Sequence, residues 1–272
     1  MTTLDFTSTS GYGLRHADDP LISITTIVTN LGSHPVVTFP LITGENPDVD
    51  WAWDYLEEPA DFFGMRMPPR NELRSAYERF EASASAGTGH VLLAVTIMLI
   101  EADGRPQFVI TGAPVRSFDP TPVRIAVTSD VPWPAPNAVD PQWRRMAART
   151  TSRGDVDQLR RWLDGNGFAD LVHRREGSSI GSPALGALVF DHAGRLTGLD
   201  DPYPVSVLGL MERCGAVPTG IGTGQTEFAG FLDASSVWWI SPFFEVHPVE
   251  QIGDARYEVE IGLPPTFLGR RT

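Results

Sequence analysis

The chain has 272 residues, a formal net charge of −13 and 42% hydrophobic residues. All 21 permanently basic residues are arginine, so the sequence contains no lysine, and its one cysteine is Cys214. These counts exclude an internal disulfide, a multi-cysteine metal or iron–sulfur site, and any side-chain amine that could form a Schiff base. The acidic balance argues against nucleic acid and anionic membranes as partners.

Neither a membrane span nor an export signal is predicted. The longest apolar run, Val91–Ile100, is about half as long as a membrane-spanning helix needs to be. The N-terminus lacks a basic stretch followed by an apolar one, which is the pattern of a signal peptide. We therefore expect a cytoplasmic chain with no membrane partner.

The first part of the chain mixes strands and helices. β-branched residues predict a strand over Leu21–Thr29, and a turn at Gly32–Pro35 separates it from a second strand over Val36–Phe39. Two helices are predicted next, over Asp48–Phe63 and over Pro69–Ala82, the second starting with proline and ending in small residues.

The domain boundary is predicted from a proline-bounded linker. Buried strands over Val91–Ile100 and Gln107–Thr111, joined by a turn at Asp103-Gly104, lead into the extended segment Pro114–Pro122. We therefore predict an α+β protein with a small N-terminal α/β lobe over residues 1–115, a linker over 116–122 and a larger C-terminal lobe over 123–272. The cleft between two lobes is the expected place for a ligand.

The predicted C-terminal lobe is richer in strands. Its elements are, in chain order, a strand over Val123–Thr128, a proline-rich loop over Val131–Asp140, a helix over Gln158–Gly165, alternating strands and turns to Leu199, a helix over Val205–Cys214 and an aromatic strand over Ser236–Ile240. Gly215 follows the last helix, where a glycine commonly ends one.

One motif suggests a hydrolase. Gly177, Ser179 and Gly181 match the G-x-S-x-G pattern of a nucleophile elbow, and Asp233 and His247 follow in the chain order that such hydrolases use. An elbow lies between a strand and a helix, whereas the residues after this motif read as another strand. A glycine–serine turn between strands is therefore the favoured interpretation, and a Ser–Asp–His triad is the alternative.

Other candidate motifs are weaker. Gly220–Thr226 has the composition of a phosphate loop but lacks its lysine, so a surface connection is favoured. The six histidines have no metal-ligand spacing, and we expect no metal. Cys214 follows apolar residues of a predicted helix and is interpreted as a core residue.

Several segments of the C-terminal half follow one another in a recognisable order. They read F-A-D-L-V at 168–172, G-S-S-I-G-S at 177–182, A-L-V-F at 187–190, P-V-S at 204–206 before a helix, A-S-S-V-W-W-I at 234–240 and F-E-V-H-P-V at 244–249. This half resembles the class IV aminotransferases, the fold-type IV enzymes of pyridoxal 5′-phosphate (PLP) that include branched-chain and D-amino-acid aminotransferases and aminodeoxychorismate lyase. The resemblance implies their two-lobed α+β architecture. It also implies a homodimer, because family members commonly dimerise.

The family's residues that react with the cofactor do not carry over. The resemblance places its Schiff-base lysine on Arg149, whose guanidinium cannot form an imine. Its glutamate facing the pyridine nitrogen falls on Gly181, and its asparagine falls on Gly186. We expect these two glycines to leave room for a substrate where the cofactor ring would lie.

The family's phosphate-binding residues are replaced as well. Its arginine falls near Asp54 or Tyr55, and its phosphate-binding Gly-Thr pair falls on Ser241-Pro242, where proline has no N–H to donate. Only Ser206, at a helix start, keeps an anion-binding role open. We therefore expect no cofactor, and we exclude transamination through covalently bound PLP.

Two classes of function remain open. The first is a PLP-independent lyase, cyclase, isomerase or hydrolase that acts on a small carboxylate-bearing biosynthetic intermediate. Its predicted catalytic residues are His247, Glu245 and Ser179, and its predicted substrate-binding residues are Arg149, Arg153, Thr25, Ser206, Ser241 and Trp239. Arg149 and Arg153 are expected to hold the substrate carboxylate at the floor of the cleft.

The second class is a non-catalytic ligand-binding or scaffolding homologue, and a weaker third possibility is non-covalent binding of PLP or another phosphate ligand. Ionisable groups that line a closed pocket would favour the enzyme. Bulky side chains that fill the pocket would favour the scaffold.

Overall fold

The structure, a computed structural model, describes residues 33–44, 48–88, 91–102, 104–128, 140–175, 177–201, 205–221, 227–264 and 267. The predicted strand over Leu21–Thr29, with the candidate site residue Thr25, lies outside these residues. Most of the predicted proline-rich loop and glycine-rich loop lie outside them too. Within the described residues, no helix is long and apolar enough to cross a bilayer.

The described chain divides into two compact units. One takes the residues up to Val115 together with Asp140–Arg153, and the other takes the residues from Arg116 to the predicted proline-rich loop together with those from Gly154 onwards. Asp140–Arg153 thus belongs to the first unit, although we placed it in the C-terminal lobe from the sequence. The linker over residues 116–122 stays a prediction.

The first unit is built on an antiparallel sheet whose strands follow one another in chain order. Its strands are β1 (Val36–Ile42), β2 (Leu92–Ala102) and β3 (Arg105–Pro114), and its helices are α1 (Asp50–Phe62), α2 (Arg70–Thr88) and α3 (Gln142–Ala147). Large apolar side chains from these elements form its core, including Leu41, Leu56, Leu73, Tyr77 and Phe80, each at most 1% exposed. Burial of this apolar surface is what stabilises the unit.

The predicted helices of the first unit are present, with differences at their ends. α1 contains Pro59, which is buried inside the helix. α2 continues six residues beyond its predicted end at Ala82, because alanine is the strongest helix former and offsets the neighbouring serines.

The second unit contains a mixed sheet. Its strands are β4 (Val123–Thr128), β5 (Asp170–Arg174), β6 (Ile180–Pro183), β7 (Ala187–His192), β8 (Arg195–Leu199), β9 (Glu227–Phe228), β10 (Ser236–Ile240), β11 (Val246–Ile252) and β12 (Ala255–Arg256). The spatial order is β8-β7-β10-β11-β4-β5-β6-β9, with β12 beside β11. β4 is parallel to both β11 and β5, and the other pairs are antiparallel. β4 and β10 have the predicted bounds.

The two faces of this sheet bury different side chains. One face carries a large apolar cluster that includes Ile125, Phe190 and Trp239. Helix α4 (Gly154–Asn166) contributes Leu159 and Leu163 to a second cluster with Ala126 and Leu171 of the sheet. Because side chains alternate along a strand, neighbouring residues of β4 serve different clusters. Helix α5 (Val207–Arg213) and a 3₁₀ turn at Gly230–Asp233 complete the unit.

Candidate functional site

Asp170, the first residue of β5, is a buried carboxylate that accepts hydrogen bonds from several parts of the second unit. One of its oxygens accepts the backbone N–H groups of Leu171, Ala184 and Leu185 at 2.7 to 3.1 Å. The other accepts the N–H of Gly186 at 2.8 Å and the indole Nε1–H of Trp239 at 2.9 Å. Asp170 is 0% exposed. Ala184 shares its N–H with the carbonyl oxygen of Leu171 at 3.0 Å. A set of five N–H donors suits an ionised carboxylate.

Two opposing effects set the pKa of Asp170. Burial raises the pKa to about 6, and the hydrogen bonds from Gly186 and Trp239 lower it. The carboxylate is therefore ionised at neutral pH, with its charge held by N–H dipoles. All its acceptor positions are engaged, so it organises the turn at 184–186 rather than acting as a proton donor.

Gly186 and Trp239 correct the expectation that two glycines leave room for a substrate. A Cβ on Gly186 would lie 2.7 Å from the indole nitrogen of Trp239 and would collide with the carbonyl oxygen of Ile240. A Cβ on Gly181 would lie 3.1 Å from the Arg175 side chain. The space at Gly186 is thus filled by the Trp239 ring, which is 7% exposed.

Arg149, a predicted substrate-binding residue, is held inside the first unit. Its guanidinium donates to the Glu58 carboxylate and to the carbonyl oxygen of Tyr55. It also lies over the Tyr55 ring, 4.0 Å from the ring centre. The residue is 7% exposed. Both terminal nitrogens of Arg149 are therefore bonded to protein groups of α1.

Arg153, the other predicted carboxylate ligand, is exposed and lies three positions after the buried Thr150. Its backbone N–H bonds to the carbonyl oxygen of Thr151 at 3.1 Å. A shared carboxylate site of Arg149 and Arg153 therefore stays a prediction.

Ser206 is the N-cap of α5. Its hydroxyl accepts the N–H of Gly209 at 3.0 Å and donates to the Asp200 carboxylate at 2.7 Å. The same oxygen of Asp200 accepts the N–H of Leu208 at 2.7 Å. Burial raises the pKa of Asp200 to about 7, and the hydrogen bonds from Ser206 and Leu208 oppose that rise. Ser206 thus has a capping role in α5.

Ser241 and Glu245 form a tight turn between β10 and β11. The Ser241 hydroxyl accepts the N–H groups of Phe243 and Glu245 at 3.2 and 3.1 Å. Phe244, inside this turn, has a φ of 69° and is fully buried. Ser241 therefore stabilises a turn that places Glu245 next to His247.

His247 lies beside two carboxylates. Its Nε2 is 4.0 Å from Glu245, and its ring lies 5.5 Å from the Trp239 ring, the residue directly opposite in the β10–β11 register. The charge of His247 is also one of the causes that lower the pKa of Asp119, after the hydrogen bonds from Thr121. Its Nδ1 is buried and has no hydrogen-bond partner among the described residues. His247 and Glu245 are thus neighbouring ionisable groups.

Ser179 lies elsewhere in the second unit, in the lining of an open depression of about 250 Å³. The depression is bordered by the turn at Gly177 and by Leu232 and Asp254. Ile180–Pro183 is a strand, so the residues after Ser179 lack the helix that a nucleophile elbow requires. The favoured interpretation of this motif, a glycine–serine turn between strands, is confirmed.

Solved structures similar to this chain include aminotransferases and a putative lyase. A hypothetical aminotransferase from Mycobacterium tuberculosis, in its apo form, is 16% identical with a TM-score of 0.63 over 95% of this chain and 94% of that one. The fold IV-transaminase CpuTA1 from Curtobacterium pusillum is 16% identical with a TM-score of 0.58 over 91% and 88%. A putative 4-amino-4-deoxychorismate lyase from Legionella pneumophila is 12% identical with a TM-score of 0.55 over 90% and 91%. No family model and no curated protein matches the sequence.

The chain has the fold-type IV fold. The α+β class and the resemblance proposed from the sequence are confirmed at this level. At 12 to 17% identity the likeness shows the fold alone, and activity has to be argued from the residues of this chain.

Sequence reasoning missed several residues that matter in this fold-type IV chain. Asp200 and Asp170 were not singled out, although each lies at the end of a strand near a helix or turn. The available signal for Asp200 was its place six positions before Ser206, a serine at a predicted helix start, where an acidic side chain can accept hydrogen bonds from the cap. Nothing local signals Glu58 as the partner of Arg149, because 91 positions separate them.

Proposed function

We propose that this fold-type IV chain works without covalently bound PLP, as a ligand-binding or scaffolding protein rather than a transaminase. The observation that carries the proposal is the set of contacts that the Arg149 guanidinium makes. The resemblance places the Schiff-base lysine at this position, and here a permanently protonated guanidinium is bonded to Glu58 and Tyr55. No primary side-chain amine exists elsewhere in the 272 residues.

Other positions at which the resemblance places the family's cofactor-binding residues do not fit PLP either. Gly186 is packed against Trp239 and Ile240, so this position offers neither a polar side chain nor space for a ring. Ser241 uses its hydroxyl within its own turn, and the next residue, Pro242, has no N–H. These contacts support a fold kept for binding or assembly, since bulky groups take the space that a cofactor needs.

Borohydride reduction after incubation with PLP tests the proposal. Reduction traps any imine as a stable secondary amine, and peptide mass mapping then locates it. We expect an adduct only on the N-terminal amine, and none in a chain whose N-terminus is acetylated. Stoichiometric PLP retained by the acetylated chain, with the absorbance of a protonated aldimine, would refute the proposal.

A PLP-independent enzyme is the second candidate, and the His247 cluster favours it. A histidine with one buried, unbonded nitrogen and two nearby carboxylates has the composition of a general acid–base site. Such a site would catalyse elimination, isomerisation, cyclisation or hydrolysis of a small carboxylate-bearing intermediate. Arg153, an exposed residue, is a predicted ligand of that carboxylate.

Substrate depletion distinguishes the two candidates. The chain is incubated with a mixture of small carboxylic acids, and consumption is followed by NMR. For the binding protein we expect no consumption. Consumption that His247→Gln abolishes and His192→Gln preserves would establish the enzyme instead, because His192 lies on a hairpin beside Phe228.

Three further features stay proposals. A small molecule is the expected ligand, a homodimer the expected assembly, and the cytoplasm the expected location. Sedimentation velocity would check the homodimer, with a single species of twice the 29.7 kDa chain mass as the expected result.

A further inference from the structure

One asparagine of the chain, Asn166, is followed by glycine, and the other four asparagines are followed by leucine, proline, glutamate or alanine. Glycine has no Cβ, so its backbone nitrogen is the least hindered one that can follow an asparagine side chain. Asn166 is the last residue of α4 and is exposed. A Cβ on Gly167 would meet no described atom within 4 Å, so water and hydroxide can reach this peptide bond.

The end of α4 is closed by a glycine cap. Gly167 has a φ of 71°, and its N–H bonds to the carbonyl oxygen of Asp164 at 3.3 Å. The N–H of Phe168 bonds to the carbonyl oxygen of Leu163 at 3.0 Å. This is the Schellman arrangement of a helix end. In the closed cap the Gly167 N–H is engaged in a hydrogen bond, so its nitrogen reacts only when the last turn opens.

The Asn166 side chain takes part in the last turn as a donor. Its Nδ2 donates to the carbonyl oxygen of Trp162 at 2.7 Å. The Trp162 ring stacks on the Phe168 ring, with centroids 6.3 Å apart and planes at 14°. That stack resists opening of the last turn, although helix ends open at a lower free energy than buried elements.

We propose that Asn166 is a site of spontaneous deamidation whose rate is controlled by opening of the last turn of α4. In the open turn the Gly167 nitrogen, after losing its proton to hydroxide, attacks Cγ of Asn166. The new N–Cγ bond closes a five-membered succinimide, and the Cγ–Nδ2 bond breaks to release ammonia, which takes its proton from water. Water then opens the ring. Cleavage of the N–Cγ bond leaves aspartate, and cleavage at the main-chain carbonyl leaves isoaspartate, so water is the one co-reactant.

Either product changes the end of α4. A carboxylate at position 166 has no N–H to donate to the carbonyl oxygen of Trp162, and it adds negative charge where the helix dipole is already negative. Isoaspartate also adds one main-chain CH₂ between positions 166 and 167, so the cap bonds to Leu163 and Asp164 cannot both keep their geometry. We therefore expect the modified chain to open at the end of α4 more readily than the unmodified one.

Peptide mapping of the aged chain tests the proposal. The full chain is incubated at mildly alkaline pH and cleaved after arginine, which isolates the peptide 162–174 that contains Asn166. Relative to an unincubated sample, we expect this peptide to gain the mass of OH in place of NH₂, and an isoaspartate methyltransferase to methylate part of the product. The peptide with Asn71, an exposed asparagine at the start of α2, should stay unchanged. Equal conversion at both asparagines, or none at Asn166 by the time that the urea-unfolded chain has converted, would overturn the proposal.

Two exposed tryptophans distinguish control by the end of α4 from a general effect of the fold. Trp162→Ala removes the stack with Phe168, and the loss of this aromatic pair should raise the conversion rate about fivefold. Trp143→Ala, which changes an exposed tryptophan of α3, should leave the rate unchanged. If Trp162→Ala does not fold, the rate in the full chain is measured at urea concentrations below the unfolding transition, where it should rise with urea. Equal rates in the two variants, or a rate that urea does not change, would contradict the assigned control.

Discussion

Asp170 illustrates, at the scale of one residue, how this chain uses its buried charges. Its donors are the next residue, Leu171, the turn 14 to 16 positions away, and Trp239, 69 positions away. One carboxylate thereby joins β5, the turn before β7, and β10. The cost of burying the charge is offset by hydrogen bonds from five N–H donors.

Asp170→Asn should therefore be strongly destabilising. The amide keeps one acceptor but turns its NH₂ group towards N–H donors, leaving buried donors unbonded at a cost of about 3 kcal/mol or more. Chemical denaturation would measure this as a lower free energy of unfolding. Asp191→Asn is the matched control, because Asp191 accepts one N–H in an exposed turn and its loss should cost about 1 kcal/mol or less. Equal losses in both variants would contradict the role assigned to Asp170.

Asp200 should give the stability of the chain a pH dependence of defined sign. Burial raises its pKa from 3.8 to about 7, so the folded state binds a proton that the unfolded state has released between these values. The free energy of unfolding contributed by Asp200 should be greatest below pH 4 and fall by at most about 1.4 kcal/mol per pH unit up to pH 7.

Denaturation of the full chain and of Asp200→Asn at pH 5 and pH 8 would isolate this contribution. The asparagine does not titrate, so the stability of the full chain relative to the variant should be lower at pH 8. A difference that stays constant or grows with pH would contradict the assignment.

At the scale of elements, the strands with predicted bounds are those with strong local signals. β4 and β10 are rich in β-branched or aromatic residues and are flanked by proline, serine or aspartate. The turn at Gly177 and the glycine after α5 follow from the same local chemistry. The end of α2 was misplaced because small residues were read as a helix end, whereas alanine continues the helix.

The site was less predictable than the elements for a physical reason. The resemblance indicated which residues of this chain stand at the family's cofactor-binding positions. It did not indicate which groups those residues contact. Arg149 bonds to Glu58 across 91 positions, and Gly186 packs against a strand more than 50 positions later. Such contacts depend on how separate elements pack, and no local periodicity records them.

Two glycines give a matched test of the packing between β7 and β10. Gly186→Ala would force its Cβ against Trp239 and Ile240, and overpacking of this kind costs about 3 kcal/mol. Gly165→Ala, in α4, meets nothing within 4 Å and should stabilise the helix by about 0.5 to 1 kcal/mol. Thermal unfolding should therefore shift in opposite directions. A tolerated Gly186→Ala would mean that space exists where we find the Trp239 ring.

At the scale of the whole molecule, the proposal is that this chain has the fold-type IV fold without the chemistry of covalently bound PLP. Its 21 arginines and absence of lysine leave cations that bond but do not condense with carbonyl groups. Arg149, Gly186 and Ser241, where the resemblance places cofactor-binding residues, make contacts within their own units. The fold by itself is therefore not evidence for an activity.

Arg149→Lys should not create a transaminase. The new amine would face the Glu58 carboxylate and the Tyr55 carbonyl oxygen, which keep it protonated and bonded. The aldimine absorbance with added PLP is expected to stay at background. Appearance of a saturable aldimine band in this variant would show that position 149 still opens towards a cofactor.

Production of a 2-oxo acid from amino acids in the presence of PLP tests the central claim most directly. The purified chain, PLP, an equimolar mixture of 13C-labelled amino acids and unlabelled 2-oxoglutarate as the amino acceptor are incubated together, and labelled 2-oxo acids are quantified by mass spectrometry against the same mixture without the protein. We predict the same rate with and without the protein. Catalytic turnover above that background, retained after the N-terminus is acetylated, would contradict the account.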